Sequence, residues 1–252
     1  MRRYIQHSRP QNYNQWRRSE LSDNVLEVRN LEKVYGEGET RLDALQNINF
    51  SVKRGEFMLI VGSSGSGKTT LLNMIGLLDR PTSGHVIIDG VDTSTLNDNQ
   101  LSAFRNSKLG FIFQFSNLLP DLTVLENVIL PRKIQGTVEG AEEEAKSLLK
   151  TVGLESQFNK FANKISGGQA QRVAITRSLI NKPAIVLADE PTGSLDSISA
   201  ETTVQLLKSL NRKLNQTFII VTHERPQFGE VDKIITVKDG RIIEGELEAN
   251  LV

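Results

Sequence analysis

Hydrophobic and polar positions follow strand-like patterns in several short segments of the chain. Residues 25–29 and 48–52 alternate apolar and polar side chains, which predicts strands with one buried face. Residues 57–61, 184–188 and 218–221 are continuous apolar runs of strand length. Such runs are typical of strands that are buried on both faces of a sheet. The pattern therefore predicts a central sheet built from segments that are distant in sequence.

Helical patterns separate these strands. Residues 69–78 and 199–214 have the helical spacing of apolar positions, and helical patterns dominate from 96 to about 179. Residues 141–152 predict an exposed amphipathic helix that begins with three glutamates. Interruptions are predicted near Pro120, Pro131 and Gly153.

Shorter strand patterns complete the picture. Residues 85–88 predict one more strand, and residues 234–237 and 241–243 predict a hairpin around Asp239-Gly240. Strands, a helical middle and then alternating strand and helix indicate a mixed α/β nucleotide-binding architecture with a helical insertion.

Charge is distributed unevenly along the 252 residues. Thirty Lys+Arg balance 30 Asp+Glu, but residues 1–19 hold five arginines and no acid. The remainder therefore has 25 basic and 30 acidic residues, a net charge of −5. A generic nucleic-acid binder would show a clustered basic surplus, so no nucleic-acid partner is expected.

Composition excludes several other classes of protein. The chain has no cysteine, which excludes disulfides, iron–sulfur clusters and thiolate zinc sites, and its three histidines lack metal-ligand spacing. No run approaches the roughly 20 apolar residues that cross a bilayer, and no secretory signal pattern is present. We therefore expect any role at a membrane to be exercised from the surface or through a partner.

Residues 1–22 are rich in Arg, Gln and Asn. This composition favours a disordered or loosely docked tail. The alternatives are an arm that docks a partner and an organellar presequence, although weak apolar periodicity argues against the presequence.

A glycine-rich loop after residues 57–61 carries the first chemistry. The loop matches every fixed position of G-x-x-x-x-G-K-[ST] with Gly62, Ser63, Ser64, Gly65, Ser66, Gly67, Lys68 and Thr69. Backbone N–H groups of such a loop cradle phosphates, Lys68 reaches the β- and γ-phosphates, and the Thr69 hydroxyl ligates Mg²⁺. Thr70 is either an ordinary first-turn residue or a contact to the α-phosphate. A glycine- and serine-rich turn is the alternative, but the flanking strand and helix favour the phosphate loop.

Two acids end the apolar run 184–188. We expect Asp189 to orient Mg²⁺ or its water, and Glu190 to polarise the attacking water as a general base. Neighbouring strand residues point in opposite directions, so the two acids are expected to have different tasks. The alternative is a helix N-cap pair before Pro191.

The segment Ile165-Ser166-Gly167-Gly168-Gln169 narrows the choice among families of phosphate-loop proteins. It closely resembles the signature loop of ABC ATPases, usually written LSGGQ. Further elements resemble that family in the family's order: Tyr35 the adenine-stacking aromatic, Gln114 the Q-loop glutamine, Ser194-Leu195-Asp196 the D-loop and His223 the switch histidine. The resemblance covers about residues 24–245, so residues 23–252 are identified as an ABC ATPase domain.

This resemblance implies a fold, a cofactor and partners. The fold is a P-loop NTPase of the ABC ATPase type, with a mixed-sheet core, an antiparallel β subdomain and a helical insertion over about 95–165. In this family two subunits, as a homodimer or a pair of related chains, bury two ATP molecules head to tail and use Mg²⁺. Separate membrane-spanning subunits are implied, with the chain at the cytoplasmic face of a membrane or an organellar equivalent.

The resemblance also implies roles for individual residues. The catalytic group is Lys68, Gln114, Glu190 and His223, and Gln114 shares the metal with Thr69 and Asp189. The signature residues Ser166, Gly167, Gly168 and Gln169 bind the ATP that the other subunit holds. Tyr35 stacks on adenine, and Asp196 shapes the dimer interface.

Within the family, residues 111–120 and 188–196 look most like the lipoprotein-releasing, macrolide-exporting and cell-division-associated group. Departures from the usual family pattern are Ile165, Ala170, Thr176 and Phe115, and none removes a catalytic atom. Two alternatives to transport stay open: ATP-driven signalling of the cell-division type, and a soluble translation or DNA-associated ABC ATPase. The single domain, the lack of heptads and the acidic body disfavour the soluble alternative.

Overall fold

The computed structural model describes residues 23–243, and these fold around two β-sheets. In this range the strands are β1 (Asn24–Tyr35), β2 (Leu42–Lys53), β3 (Phe57–Val61), β4 (Ser83–Ile88), β5 (Val91–Asp92), β6 (Leu109–Ile112), β7 (Ile185–Asp189), β8 (Thr217–Val221), β9 (Lys233–Lys238) and β10 (Arg241–Ile243). The α-helices are α1 (Lys68–Ile75), α2 (Asp98–Lys108), α3 (Val124–Gln135), α4 (Ala141–Thr151), α5 (Gly167–Leu179) and α6 (Ser197–Leu214). The predicted tail, residues 1–22, lies outside the described residues.

The larger sheet has six strands in the order β10-β9-β3-β8-β7-β6. From β9 to β6 all neighbours are parallel, whereas β10 runs antiparallel to β9. The three continuous apolar runs form β3, β7 and β8 at its centre, and nearly all of their residues are buried. The prediction of strands covered on both faces is confirmed.

The smaller sheet is antiparallel, in the order β2-β1-β4-β5. The two alternating segments of the sequence pair within it, with Leu26 opposite Val52 and Val28 opposite Phe50. Leu26, Val28 and Val52 are buried in a cluster that also contains β3 and α1 side chains. The alternation therefore reflects a sheet with one face on the shared core.

Left-handed backbone positions fix where two elements end. Asp239 and Gly240 have φ of 48° and 73°, as a two-residue hairpin turn requires, so the predicted hairpin forms as β9–β10. The helix predicted over 69–78 stops at Ile75, because Leu77 has φ of 55° and cannot continue it.

The predicted helical stretch 96–179 is wrong at one point, because it contains strand β6. This strand pairs in parallel with β7 at the edge of the larger sheet. Its four residues, Leu109-Gly-Phe-Ile, are too few for periodicity to separate a strand from a buried helix. Gly110 lets β6 approach α5 closely, since a Cβ there would lie 2.3 Å from the Ser178 carbonyl oxygen. The helices with a core of their own, α3, α4 and α5, come after β6.

Pro131 lies inside α3, so the interruption predicted there is absent. Val124 and Val128 bury α3 in the helical cluster, and this packing outweighs the backbone hydrogen bond that the proline cannot make. Pro120 lies in the loop between β6 and α3, and Gly153 follows the end of α4, so the other two predicted interruptions are present. None of the helices in residues 23–243 combines the length and the apolar character needed to cross a membrane.

Parallel strands bring four predicted site elements to one edge of the larger sheet. The phosphate loop (62–69) follows β3, Gln114 follows β6, Glu190 follows β7 and His223 follows β8. The carboxyl ends of parallel strands are where α/β sheets place ligand sites. The topology therefore assembles the candidate site.

Candidate functional site

The phosphate loop folds around the ammonium group of its own lysine. Lys68 is 8% exposed, and Nζ donates to the carbonyl oxygens of Gly62 (2.8 Å) and Ser63 (2.7 Å). A Cβ at Gly62 would lie 2.2 Å from the Val237 carbonyl oxygen, so only glycine fits there. The cation is thus held inside a loop of backbone, ready to exchange carbonyl partners for phosphate oxygens.

The start of α1 suits an anion. Gly67, with φ of 107°, is the N-cap residue and offers no side-chain acceptor to the first turn. The N–H groups of that turn, together with the helix dipole, therefore favour a phosphate. Thr69 is exposed there, and the buried Ser66 Oγ has no hydrogen-bond partner in the described part of the chain. The loop has the unmet donors that a nucleotide phosphate requires.

The two acids after β7 adopt different conformations. Asp189 is the last residue of β7, but Glu190 lies beyond the strand in the left-handed region, with φ of 45°. Strand alternation therefore does not apply to Glu190, and the turn separates the two carboxylates instead. The Glu190 N–H donates to the Val221 carbonyl oxygen at 3.0 Å, which holds the strained residue against β8.

Glu190 and His223 form a close pair. Glu190 Oε1 accepts from the backbone N–H of His223 at 3.1 Å and lies 2.7 Å from its Nδ1. The hydrogen bond and the negative charge of Glu190 raise the pKa of His223 above its ordinary value. Both contacts use Oε1, so Oε2 keeps its acceptor capacity within residues 23–243. The histidine thus orients the carboxylate and leaves one oxygen for another partner.

Asp189 lies in the same electrostatic cluster. Burial, followed by the negative charge of Glu190, raises the pKa of Asp189, while the positive charge of Lys68 opposes the shift. The Lys68 charge also acts on His223. The phosphate loop and the acidic strand end therefore lie close enough for their charges to interact.

Protein ligands for a metal are few at this site. Residues 23–243 contain no group of three or more His, Cys, Asp or Glu side chains arranged to hold a metal ion. The candidate oxygen ligands are the Asp189 carboxylate, whose charge interacts with that of Lys68, and the exposed Thr69 hydroxyl. Mg²⁺ is usually bound by one or two protein oxygens together with substrate phosphates and water, and this donor set fits that habit.

Gln114 lies against the segment that follows Glu190. Its carbonyl oxygen accepts from Ser194 Oγ at 2.6 Å. Its side chain faces Gly193, where a Cβ would come within 3.1 Å of Gln114 Nε2. Gln114 and Glu190 therefore belong to two loops in direct contact.

The signature loop (165–169) is an exposed helix start. Ser166 Oγ accepts from the Gln169 N–H at 3.3 Å, and Gln169 Oε1 accepts from the Ser166 N–H at 3.0 Å, which is a capping box at the start of α5. Within residues 23–243, no hydrogen bond or ion pair joins residues 166–169 to the phosphate loop. These predicted ATP-binding residues are not brought to the site of their own chain.

Asp196 caps the neighbouring helix. Its Oδ1 accepts from the N–H groups of Ile198 (3.1 Å) and Ser199 (3.0 Å) at the start of α6. These hydrogen bonds lower the pKa of Asp196. Ser199 lies beside the signature loop, since a Cβ at Gly168 would meet Ser199 Oγ at 3.0 Å. The signature loop and Asp196 thus share one surface.

Tyr35 is the last residue of β1, and two residues that sequence reasoning missed hold it in place. Its hydroxyl donates to Asp79 Oδ2 at 2.8 Å, and Lys33 Nζ lies 4.6 Å from its ring centroid. Lys33 also pairs with Asp79 at 2.8 Å. Burial and the Asp79 hydrogen bond raise the pKa of Tyr35. Asp79 lies 44 residues away in sequence, so no local pattern could have revealed this contact.

Comparison with known proteins gives the family of the chain. The model of the ABC transporter family matches residues 45–193. The lipoprotein-releasing system ATP-binding protein LolD of Cytophaga hutchinsonii is 48% identical over 220 residues, which cover 87% of this chain and 99% of that protein. The macrolide export ATP-binding/permease protein MacB of Aggregatibacter actinomycetemcomitans is 46% identical over 221 residues, which cover 87% of this chain but 34% of that protein.

A solved structure extends the agreement to the fold. The dimeric post-hydrolysis ATP-binding cassette MJ0796 bound to ADP and Pi, from a protein of Methanocaldococcus jannaschii, superposes with a TM-score of 0.77 at 45% identity. The match covers 86% of this chain and 96% of that chain. The predicted fold and the predicted resemblance are both confirmed. The chain belongs to the ABC transporter family and is an ATP-hydrolysing, nucleotide-binding subunit.

Proposed function

We propose that two copies of this chain, or this chain and a related one, close head to tail on two ATP molecules. The signature loop has its donors at an exposed helix start, apart from the phosphate loop of its own chain. Beside it, Ile198 is 79% exposed although it is large and apolar. A second subunit placed against this surface would cover Ile198. The nucleotide bound to that second subunit would then lie next to Ser166 and the Gly168 N–H of the first.

Within each site, the chain's own residues would divide the work. Lys68 and the N–H groups at the start of α1 bind the β- and γ-phosphates, and the Tyr35 ring stacks on adenine. Asp189, Thr69 and Gln114 would hold Mg²⁺, which neutralises phosphate charge when it is bound. Gln114, which lies between β6 and helix α3 in the chain, would also contact the attacking water.

Glu190 would act as the general base. Oε1 is held by His223, so Oε2 can accept a proton from a water aligned with the γ-phosphate. The hydrogen bond to Glu190 and the negative charge of this carboxylate raise the pKa of His223, which favours the imidazolium form that would balance the charge of Glu190. This anchored carboxylate beside Lys68 and Asp189 is the observation that carries the proposal of hydrolysis.

We further propose that hydrolysis drives separate membrane-spanning subunits at the cytoplasmic face of a membrane. MacB carries a permease portion in the same chain, whereas this chain matches only about a third of its length. A groove of about 390 Å³ lies beside Gln114 and helix α5, with Phe115, Leu118 and Pro120 among its lining residues. An apolar segment of a membrane subunit in this groove would contact both the loop that contains Gln114 and helix α5, which begins at the signature loop.

The test uses Glu190→Gln. We expect hydrolysis to fall by about a hundredfold to a thousandfold while ATP binding is kept, since the base is lost but the phosphate contacts remain. With ATP and Mg²⁺ this variant should elute as a dimer on size exclusion, and without ATP as a monomer. Glu143→Gln is the matched control, because Glu143 is exposed in the first turn of α4 and lies outside the proposed machinery. Unchanged hydrolysis in Glu190→Gln would remove this residue from the mechanism.

The same variant, tagged and recovered with ATP from detergent-solubilised membranes, tests the partner. A co-purifying multi-span membrane protein is expected. Recovery of ribosomal or DNA-associated partners without any membrane protein would overturn the transport proposal and leave the ATPase chemistry intact.

A further inference from the structure

One buried amide on α5 joins the two catalytic loops. Gln171 is 1% exposed, and Nε2 donates to the carbonyl oxygens of Phe113 (3.0 Å) and Pro191 (2.8 Å). Both partners are acceptors only, so the NH₂ end of the amide must face them and both of its hydrogens are used. Each hydrogen bond connects α5 to a different segment of chain.

The two carbonyl groups lie next to the proposed catalytic residues in the chain. Phe113 directly precedes Gln114, and Pro191 directly follows Glu190. A buried amide with both donors satisfied is costly to displace, because either carbonyl would lose its partner in a water-poor interior. Gln171 therefore fixes the distance between the backbone that carries Gln114 and the backbone that carries Glu190.

Other contacts hold the same junction. Ser194 Oγ donates to the Gln114 carbonyl oxygen from the Glu190 side. Arg177, two turns further along α5, donates to the carbonyl oxygens of Ser116 (2.7 Å) and Asn117 (2.8 Å). The loop around Gln114 is thus held by α5 on both sides of the glutamine.

We infer that Gln171 is a positioning residue for ATP hydrolysis, which acts by holding Gln114 and Glu190 in register. The inference rests on the proposed roles of Gln114 and Glu190. Helix α5 begins at the signature loop, so the amide also connects the surface proposed to meet the partner's nucleotide with the catalytic loops of its own chain. A shift of α5 would move both loops together.

The experiment compares Gln171→Met, Gln171→Glu and the parent chain. Methionine matches the length of glutamine without its donors, and glutamate places a carboxylate against two carbonyl oxygens. We expect kcat to fall about tenfold to a hundredfold in Gln171→Met, and further in Gln171→Glu, because small misplacements of reacting groups are costly. Affinity for a fluorescent ATP analogue should stay within about threefold, since the phosphate loop is untouched.

Thr176→Val is the matched control. Thr176 is fully buried on the same helix, but its hydroxyl donates to the Arg172 carbonyl oxygen within α5 and reaches neither loop. This variant should lower thermal stability without the loss of kcat. An equal loss of kcat in Thr176→Val and Gln171→Met would mean that general packing of α5 matters, and would overturn the inference.

Ser194→Ala keeps the test sharp if Gln171→Met does not fold. Ser194 is exposed and holds the same junction from the opposite side, so its removal should lower kcat about threefold with little change in ATP affinity. In the double variant the two losses should be non-additive in log kcat. Full kcat in Ser194→Ala and Gln171→Glu, with hydrolysis reduced as expected in Glu190→Gln, would refute the inference and leave the proposed function standing.

Discussion

The phosphate loop and the signature loop are both helix starts rich in glycine and serine, but they differ in the partners of their hydrogen bonds. The phosphate loop is embedded between β3 and α1, and its buried Lys68 is bound by two carbonyl groups of the loop itself. The signature loop is exposed and is closed by the reciprocal bonds of Ser166 and Gln169. One is part of a site with Asp189 and His223, and the other contacts no catalytic element of its own chain through a hydrogen bond or ion pair in residues 23–243.

This difference explains why one chain provides only part of the proposed site. The phosphate loop can bind nucleotide alone, because its cation and N–H donors are already in place. In the proposed dimer, the signature loop would act on a nucleotide that another subunit brings to it. Variants in the two loops should therefore fail in different ways.

The largest effect is expected at the phosphate loop. Lys68→Met removes the cation that faces the phosphates, so kcat/KM for ATP should fall about a thousandfold. Binding of the ATP analogue to the isolated chain should weaken as well. Lys213→Met, at the exposed end of α6, is the control that keeps both properties. Normal nucleotide binding by Lys68→Met would contradict the assignment of the loop.

A smaller and more selective effect is expected at the signature loop. Gly168→Asp places a side chain within 3.0 Å of Ser199 Oγ and a negative charge where the γ-phosphate is proposed to sit. Hydrolysis should fall about a hundredfold, since the dimer no longer closes. The isolated chain should bind the ATP analogue as the parent does, by fluorescence titration. Loss of that binding would place the signature loop in the site of its own chain.

The smallest effect concerns the charge of His223. Glu190 raises the pKa of His223, so the imidazolium and its ion pair are fully present below the ordinary histidine pKa. The contribution of the pair is lost as pH rises through the raised value. NMR titration of the His223 ring should give a midpoint above that of an ordinary histidine, and the midpoint should fall in Glu190→Gln. An unchanged midpoint in that variant would show that the pair does not form in solution.

Features set by a few neighbouring residues could be predicted from the sequence. The phosphate loop, the three buried strands and the final hairpin each depend on a short run of glycine or apolar positions, so their pattern carries the structure. These elements stand where the pattern indicates.

Features set by contacts distant in sequence could not be predicted. Strand β6 is defined by its pairing with β7, and its four residues alone do not distinguish it from a helix. Glu190 adopts a left-handed conformation because β8 and His223 hold it. In the sequence, Gln171 looks like an ordinary residue of an amphipathic helix. Its role depends on hydrogen bonds to the carbonyl groups of Phe113 and Pro191, which are 58 and 20 residues away.

Cross-linking can show whether the site is completed between two chains. The chain has no cysteine, so single cysteines can be introduced as Ser64→Cys in one Glu190→Gln sample and Gly167→Cys in another. Gly167 has open space around it, since a Cβ there meets nothing within 4 Å. When the two samples are mixed with a short bifunctional reagent, a cross-linked dimer is expected with ATP and none without nucleotide. No link with ATP, or the same yield with and without it, would mean that the signature loop of one subunit does not meet the nucleotide of the other.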